Sequence, residues 1–328
     1  MPALRSGRPT PIRERSFHDW LARRLPAGRG GLLPLGDDAA AVEPPARSVA
    51  VLSTDSLVEG THFLAESRPD HVGRAATNVS LSDLAAKGAR PSALLLAIIV
   101  PPGSPASWAE AVVRGAERAA RRHGAHVVGG DTKPGPVPTV VSTALGWGDP
   151  RRLAPRSGAR SGDIVVTTGT VGRGGVAAAS LRRGGTPSRA DLARLLDVRP
   201  RVREGIVLSR WAHAMIDTSD GLAEAARLVA AASRVRVVVD EDRLPLAPGV
   251  ARSARSRAGR RALAFFGGDY ELLATIAPGD VGPAVRAVAR VGGRLTAVGS
   301  VASGRGAWLV ANDRLEPMPE PGWAPFGR

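Results

Sequence analysis

Short runs of Val, Ile and Leu alternate along the chain with longer segments in which Ala and Leu recur at helical spacing. Residues 48–52 (SVAVL), 93–100 (ALLLAIIV), 125–128, 139–146, 163–168 and 236–239 read as short buried strands. Helices are expected over 13–25, where Phe17, Trp20, Leu21 and Leu25 share one face, over 72–86, over 108–123 closed by Gly124, over 202–211 and over 222–232. This alternation predicts a mixed α/β fold. It is interrupted once, at 149–162 (DPRRLAPRSGARSG), a stretch of Arg, Pro and Gly that divides the chain into domains 1–148 and 149–328.

The polar residues that punctuate this pattern are mostly acidic. Asp37 and Asp38 follow Gly36. The strand 48–52 runs into Ser53-Thr54-Asp55, and Asp83 lies on the helix 72–86. The strand 125–128 opens into Gly129-Gly130-Asp131-Thr132, and Asp217-Thr218-Ser219-Asp220 precedes the helix 222–232. A strand end opening into a loop is where α/β sheets place ligands. None of these acids has an arginine at i,i+4 spacing, so together they call for cations; magnesium ions bridging a polyphosphate answer that need. Taken alone, Asp220 is equally well placed to cap the following helix. The glycine-rich 169–175 reads as a tight turn, and no Gly-Lys-[Ser/Thr] occurs, which excludes a P-loop nucleotidase.

Composition narrows the picture. With aromatics at 4% against 43% hydrophobic residues overall, the cores must be built from Ala, Val and Leu. The absence of cysteine excludes a disulfide scaffold, a cysteine nucleophile and thiolate zinc sites. The basic N-terminus lacks an apolar signal region, and 93–100 is too short to span a bilayer, so a soluble, cytoplasmic protein with no membrane partner is expected. The net charge of +15 raises nucleic acid as a partner. Only Lys87 and Lys133 are lysines, and the arginine clusters (Arg118, Arg121, Arg122; Arg252, Arg255, Arg257) lack interleaved aromatics, so nucleic-acid binding is the weaker reading.

The acidic motifs occur in a familiar order. Leu35-Gly36-Asp37-Asp38-Ala39-Ala40, Ser53-Thr54-Asp55-Ser56-Leu57-Val58-Glu59-Gly60-Thr61-His62-Phe63, Leu81-Ser82-Asp83-Leu84-Ala85-Ala86, Gly129-Gly130-Asp131-Thr132, Asp217-Thr218-Ser219-Asp220-Gly221-Leu222 and Gly267-Gly268-Asp269-Tyr270-Glu271-Leu272 resemble the thiamine-monophosphate kinase family. That family belongs with aminoimidazole ribonucleotide synthetase and selenophosphate synthetase, and the resemblance covers nearly the whole chain. It implies a two-domain synthetase-like fold, a homodimer paired through the N-terminal sheets, and magnesium-dependent transfer of the ATP γ-phosphoryl group to thiamine monophosphate. By motif position it implies that Asp37, Ser53, Thr54, Asp55, Asp83, Asp131, Asp217 and Asp220 hold magnesium, and that Gly130, Asp131, Arg156 and Ser219 bind ATP. It also implies that His62 and either Asp269 or Glu271 meet the substrate, and that Trp323 stacks on its rings or else pins the tail.

The chain departs from the family at three places. One acid is missing from Gly267-Gly268-Asp269-Tyr270-Glu271; the region before Gly129 lacks an aromatic; and Lys87 stands where methionine is common. The competing readings are a synthetase of the aminoimidazole ribonucleotide type, a nucleic-acid-binding protein, and a catalytically retired member of the family.

Overall fold

The runs of the first half become one sheet and the helices laid on it. The computed structural model describes residues 14–24, 42–182 and 187–320. In order, its first half holds α1 (Glu14–Arg24), β1 (Val49–Val58), α2 (Pro69–Ala86), β2 (Arg90–Val100), α3 (Ala106–Arg122), β3 (His126–Pro134) and β4 (Thr139–Gly148). The sheet runs β1-β4-β2-β3: β4 is antiparallel to both β1 and β2, and β2 is parallel to β3. β1 and β3 are therefore its two opposite edges.

The second half holds β5 (Ile164–Thr168), α4 (Arg173–Arg182), α5 (Arg189–Leu195), α6 (Val202–Leu208), β6 (Ala212–Asp217), α7 (Leu222–Ser233), β7 (Arg236–Asp240), α8 (Pro248–Ser253), α9 (Arg257–Ala264), β8 (Leu272–Ile276), α10 (Val281–Arg290), β9 (Leu295–Ala302), β10 (Gly306–Ala311) and β11 (Arg314–Pro317). Its seven strands form a mixed sheet ordered β11-β10-β7-β9-β5-β8-β6. One hydrophobic core joins the four-stranded sheet, α2 and α3 to Met215, Leu272 and Ile276 of the second sheet; a second core lies under α7. As composition required, both are dominated by Ala, Val and Leu.

Two expected strands are longer than the sequence suggested. β1 continues to Val58 and β3 to Pro134, so Ser53-Thr54-Asp55 and Gly129-Gly130-Asp131 lie within strands rather than in loops after them. The consequence is alternation. Neighbouring residues of a strand face opposite sides, so Ser53 and Asp55 turn to the helix-covered face and Thr54 to the open one.

The helix α2 is wedged between the two halves. Pro69 opens it at a position where no N–H is needed, and Asp70 in its first turn suits the helix dipole. At the other end Gly88 adopts φ 69, and Ala89 N–H bonds Leu84 C=O while Gly88 N–H bonds Ala85 C=O. This paired closure stops the helix at Ala86 and fixes Lys87 as its C-cap. Between the ends most of α2 is buried, and its small residues allow close neighbours. A Cβ on Gly73 would stand 1.9 Å from the carbonyl oxygen of Val112 on α3, and one on Gly115 of α3 would stand 2.0 Å from that of Asp70. Because these atoms are backbone, neither helix can yield without moving as a whole. Gly115→Ala is therefore expected to destabilise the protein by about 2 kcal/mol or more, the range for overpacked cores; denaturant unfolding measures it, and an unchanged midpoint would contradict the packing described.

Candidate active site

Consecutive residues of a helix point about 100° apart, and near its C-terminus α2 uses this to address three neighbours. Ser82 Oγ donates to Asp217 Oδ2 on β6 at 2.7 Å. Asp83 accepts a hydrogen bond from Ser53 Oγ on β1. Lys87 Nζ donates to the carbonyl oxygens of Ala154 at 3.0 Å and Met215 at 2.9 Å. Asp55, two residues along β1 from Ser53, lies against Asp83, and its buried Oδ2 has no hydrogen-bond partner.

Four carboxylates, Asp55, Asp83, Asp217 and Asp220, thus share one junction between the halves. Burial, and next the charge of Asp83, push Asp55 up to about 7; Asp217 and Asp220 push in the same direction. Asp217 is raised to about 6 by burial and then by Asp83, despite hydrogen bonds from Ser82 and from Ser219 Oγ at 3.2 Å. The phenol of Tyr270 is raised by burial and by the same four acids, so it stands among them. Tyr270 has a left-handed φ of 55, a strained conformation for a non-glycine residue that the surroundings must hold in place.

Asp220 does not cap α7. The N-cap is Gly221 with φ 97, no side chain bonds the helix end, and Asp220 is exposed at the rim of the acidic junction. Among the described residues no three acids already converge as a complete ligand set. What they present is oxygen-only donors, an orphaned buried carboxylate oxygen and mutual repulsion that pushes Asp55 and Asp217 upward. Those are the properties that suit a hard divalent cation.

A cavity of about 480 Å³ opens beside this junction, lined by Val51, Leu52, Ser53, Asp83, Lys87 and Arg156 among others. Arg156, on the stretch linking the halves, therefore does face the cleft.

Other expected site residues lie elsewhere. Thr54 points to the open face, where its hydroxyl pairs with Thr143 Oγ1 at 2.9 Å, so its side chain does not join Asp55 and Asp83. Asp131 sits on β3, three strand spacings or about 14 Å from β1 across the sheet. Its Oδ1 accepts from Thr132 N–H at 2.8 Å and pairs with Lys133 at 3.1 Å. Gly130 on β3 is required by packing, because a Cβ there would meet the Leu96 carbonyl oxygen at 1.9 Å. His62 lies in the turn after β1; its Nδ1 accepts from Val58 N–H at 3.1 Å and burial lowers its pKa, so the ring is neutral. Val58 is itself about 10 Å along β1 from Asp55.

Asp269 and Glu271 were the alternatives for substrate contact, and the structure turns both inward. Each is 1% exposed. Asp269 accepts from Gly172 N–H at 2.6 Å and Gly174 N–H at 2.9 Å, so the glycine-rich turn holds the protein's own carboxylate and not a phosphate. Glu271 is clamped by Arg201 at 2.6 and 2.5 Å and accepts from Thr168 Oγ1 at 2.7 Å. Together they fix the loop that presents Tyr270. Asp37 and Trp323 lie outside the described residues.

Sequence reading missed Ser82, Lys87, Arg201 and Tyr270. For Ser82 the signal was available, since a polar residue beside Asp83 on an otherwise apolar helix needs a buried partner.

The chain matches the family described as "AIR synthase related protein", with the N-terminal domain over residues 36–147 and the C-terminal domain over 160–310. It is 38% identical to a thiamine-monophosphate kinase of Halobacterium salinarum over 295 residues, covering 90% of this chain and 96% of the relative. With the enzyme of that name from Synechococcus elongatus it shares 37% identity over 274 residues, 76% of this chain and 82% of the relative. A crystal structure of a thiamine-monophosphate kinase from Stenotrophomonas maltophilia superposes with a TM-score of 0.77 at 33% identity, covering 92% of this chain and 97% of the other. A further solved structure, AaThiL complexed with AMPPCP and TMP, gives a TM-score of 0.72 at 28% identity, covering 85% of this chain and 88% of the other. Hydrogenase maturation protein HypE shares the fold, with a TM-score of 0.76 at 21% identity. With its acidic junction, its two sheets and these likenesses, the chain belongs to the thiamine-monophosphate kinases of the AIR synthase related family.

Proposed function

We propose that the protein phosphorylates thiamine monophosphate to thiamine diphosphate with ATP, at the cleft where α2 meets β1, β6 and the linking stretch. The observation that carries this reading is the junction of Asp55, Asp83, Asp217 and Asp220, contributed by both halves, beside a cavity that also presents Arg156. The likeness to a structure complexed with AMPPCP and TMP supports the same substrates. We divide the chain functionally at 148/149, with the first part supplying Ser53, Asp55 and Asp83 and the second Asp217, Ser219 and Asp220.

In our reading magnesium is held by Asp55, Asp83, Asp217 and Asp220, and when bound it neutralises phosphate charge. The chain's own groups do the remaining work. The acceptor is a phosphate monoester whose second pKa is about 6, so it is largely ionised at neutral pH and needs no general base. Neutral His62 and the phenol of Tyr270 are accordingly in keeping with positioning. Ser82 holds Asp217, and Ser53 holds Asp83, so that β6 and α2 present their acids from fixed directions. The difficulty of the reaction is bringing two anions into line, and fixed cations and positioned ligands supply that.

We further propose a cytoplasmic homodimer formed through the open face of the four-stranded sheet. Leu52 is 66% exposed there and Leu95 44%. An uncovered apolar sheet face in an α/β protein calls for a partner surface. Asp131, on the edge opposite Asp55, would in such a pair lie near the other copy's cleft.

Three outcomes are expected. Incubated with ATP, magnesium and thiamine monophosphate, the protein should yield thiamine diphosphate by mass spectrometry, and Asp55→Asn should cut turnover by roughly a hundredfold or more while preserving the fold. No diphosphate product from the wild type would remove the kinase reading and leave a synthetase, a retired enzyme or a salt-sensitive nucleic-acid binder. Secondly, an acid raised in the folded state binds more protons there than when unfolded. Stability from Asp55 is therefore present below its ordinary value of 3.8 and is lost as pH rises towards about 7. Without metal, wild type should melt lower at about pH 8 than at about pH 5.5 by a margin that Asp55→Asn reduces and that magnesium restores; identical pH profiles for wild type and variant would contradict this. Thirdly, Leu52→Glu should shift the mass measured by light scattering from dimer to monomer, and a wild type that runs as a monomer would refute the pairing.

A further inference from the structure

Lys87 is one of two lysines in a chain with abundant arginine, and it is the one that reaches the cleft. It is the residue that caps the C-terminus of α2, where the closure at Gly88 fixes its backbone. Two of its three ammonium protons go to Ala154 C=O on the linking stretch and Met215 C=O on β6. Those two segments are themselves joined by Met215 N–H to Pro155 C=O at 2.8 Å. The third proton is left for the cavity that Lys87 lines with Ser53, Asp83 and Arg156.

Among the described residues neither Lys87 nor Arg156 makes an ion pair. Burial, and next the charge of Arg156, bring the Lys87 ammonium down to about 8, while Asp217 and Asp83 act the other way. A buried ammonium held only by neutral carbonyls, beside a second cation, is an arrangement that an anion would stabilise. A strap that merely joined the halves would not need a charge, or a guanidinium next to it.

Resting on the kinase reading, we propose that Lys87 is a second phosphate-binding cation of the nucleotide site, acting with Arg156 in the cavity that both line together with Ser53 and Asp83. It would hold a phosphate of ATP through its remaining N–H while its other two keep the Arg156-bearing stretch against β6. The same contacts predict that Lys87 serves the nucleotide and not the thiamine moiety, because a thiazolium is itself a cation.

The test is Lys87→Met, close in length and unable to donate, with Lys87→Arg as the conservative control. A charge-assisted hydrogen bond to phosphate lost in this way should raise KM for ATP and weaken binding of the analogue AMPPCP in calorimetry, each by roughly tenfold. KM for thiamine monophosphate should stay within about twofold, and Lys87→Arg should recover most of the nucleotide affinity. If Lys87→Met does not fold, Lys87→Gln carries the same calorimetric measurement. A lower melting temperature with unchanged AMPPCP affinity would show a strap only and overturn the proposal. So would an equal loss for both substrates. A wild type that binds AMPPCP but forms no thiamine diphosphate would instead fault the kinase reading and leave the Lys87 measurement intact.

Discussion

Negative charge held in a medium of low dielectric must be cancelled or protonated, and the architecture turns on how this protein does so. Four carboxylates meet where α2 is wedged between the two sheets, and burial and mutual repulsion push two of them up, Asp55 to about 7 and Asp217 to about 6. Among the described residues no arginine forms a salt bridge with any of the four, although the chain carries a large excess of positive charge. Arginine is spent elsewhere in the interior, as in the clamp of Arg201 on Glu271. The separation is what matters: acids that must stay open to exchangeable cations are kept apart from arginines that would close on them permanently.

This constraint explains why a helix of mostly small side chains is so tightly enclosed. For α2 to touch β1, α3, α6 and β6 together it must be slender, and Gly73 with its alanines and serines makes it so. Gly73 and Gly115 let α2 and α3 approach until backbone meets side-chain space. That approach leaves Ser82, Asp83 and Lys87 each aimed at a different neighbour with little freedom to move. Rigidity of this kind suits a reaction limited by alignment of two anions and not by proton transfer.

The sequence made the elements and the acidic residues visible because both leave local marks. Apolar runs announced β2 and β4, and helical spacing announced α2, α3 and α7 within a few residues. It did not show where strands end. Ser53-Thr54-Asp55 is polar enough to read as a loop, yet the ladder to β4 continues through it, pairing Ser53 with Ala144 and Asp55 with Ser142. That extension separates Thr54 from its neighbours, which only register can reveal. Nor could motif order distinguish acids facing a cleft from acids facing inward. Asp269 and Asp217 sit in equally glycine-rich and hydroxyl-rich company, and only tertiary contacts assign one to Gly172 and Gly174 and the other to the junction.

The inward turn of Asp269 and Glu271 bears on the acid missing from the Gly267-Gly268 segment. Gly268 has φ 76 and a Cβ there would meet nothing nearer than 3.5 Å, so the position is open and unfilled. Both remaining acids are committed to the loop, so neither can take over a contact from that position without unfastening the framework that holds Tyr270 in its strained conformation. This segment therefore brings less free negative charge to the junction than the motif alone would suggest. Lys87, standing where methionine is common, adds positive charge to the cavity it lines with Arg156. Both departures move the cleft in the same electrostatic direction, towards the anionic ends of its two ligands and away from the cationic ring of one of them.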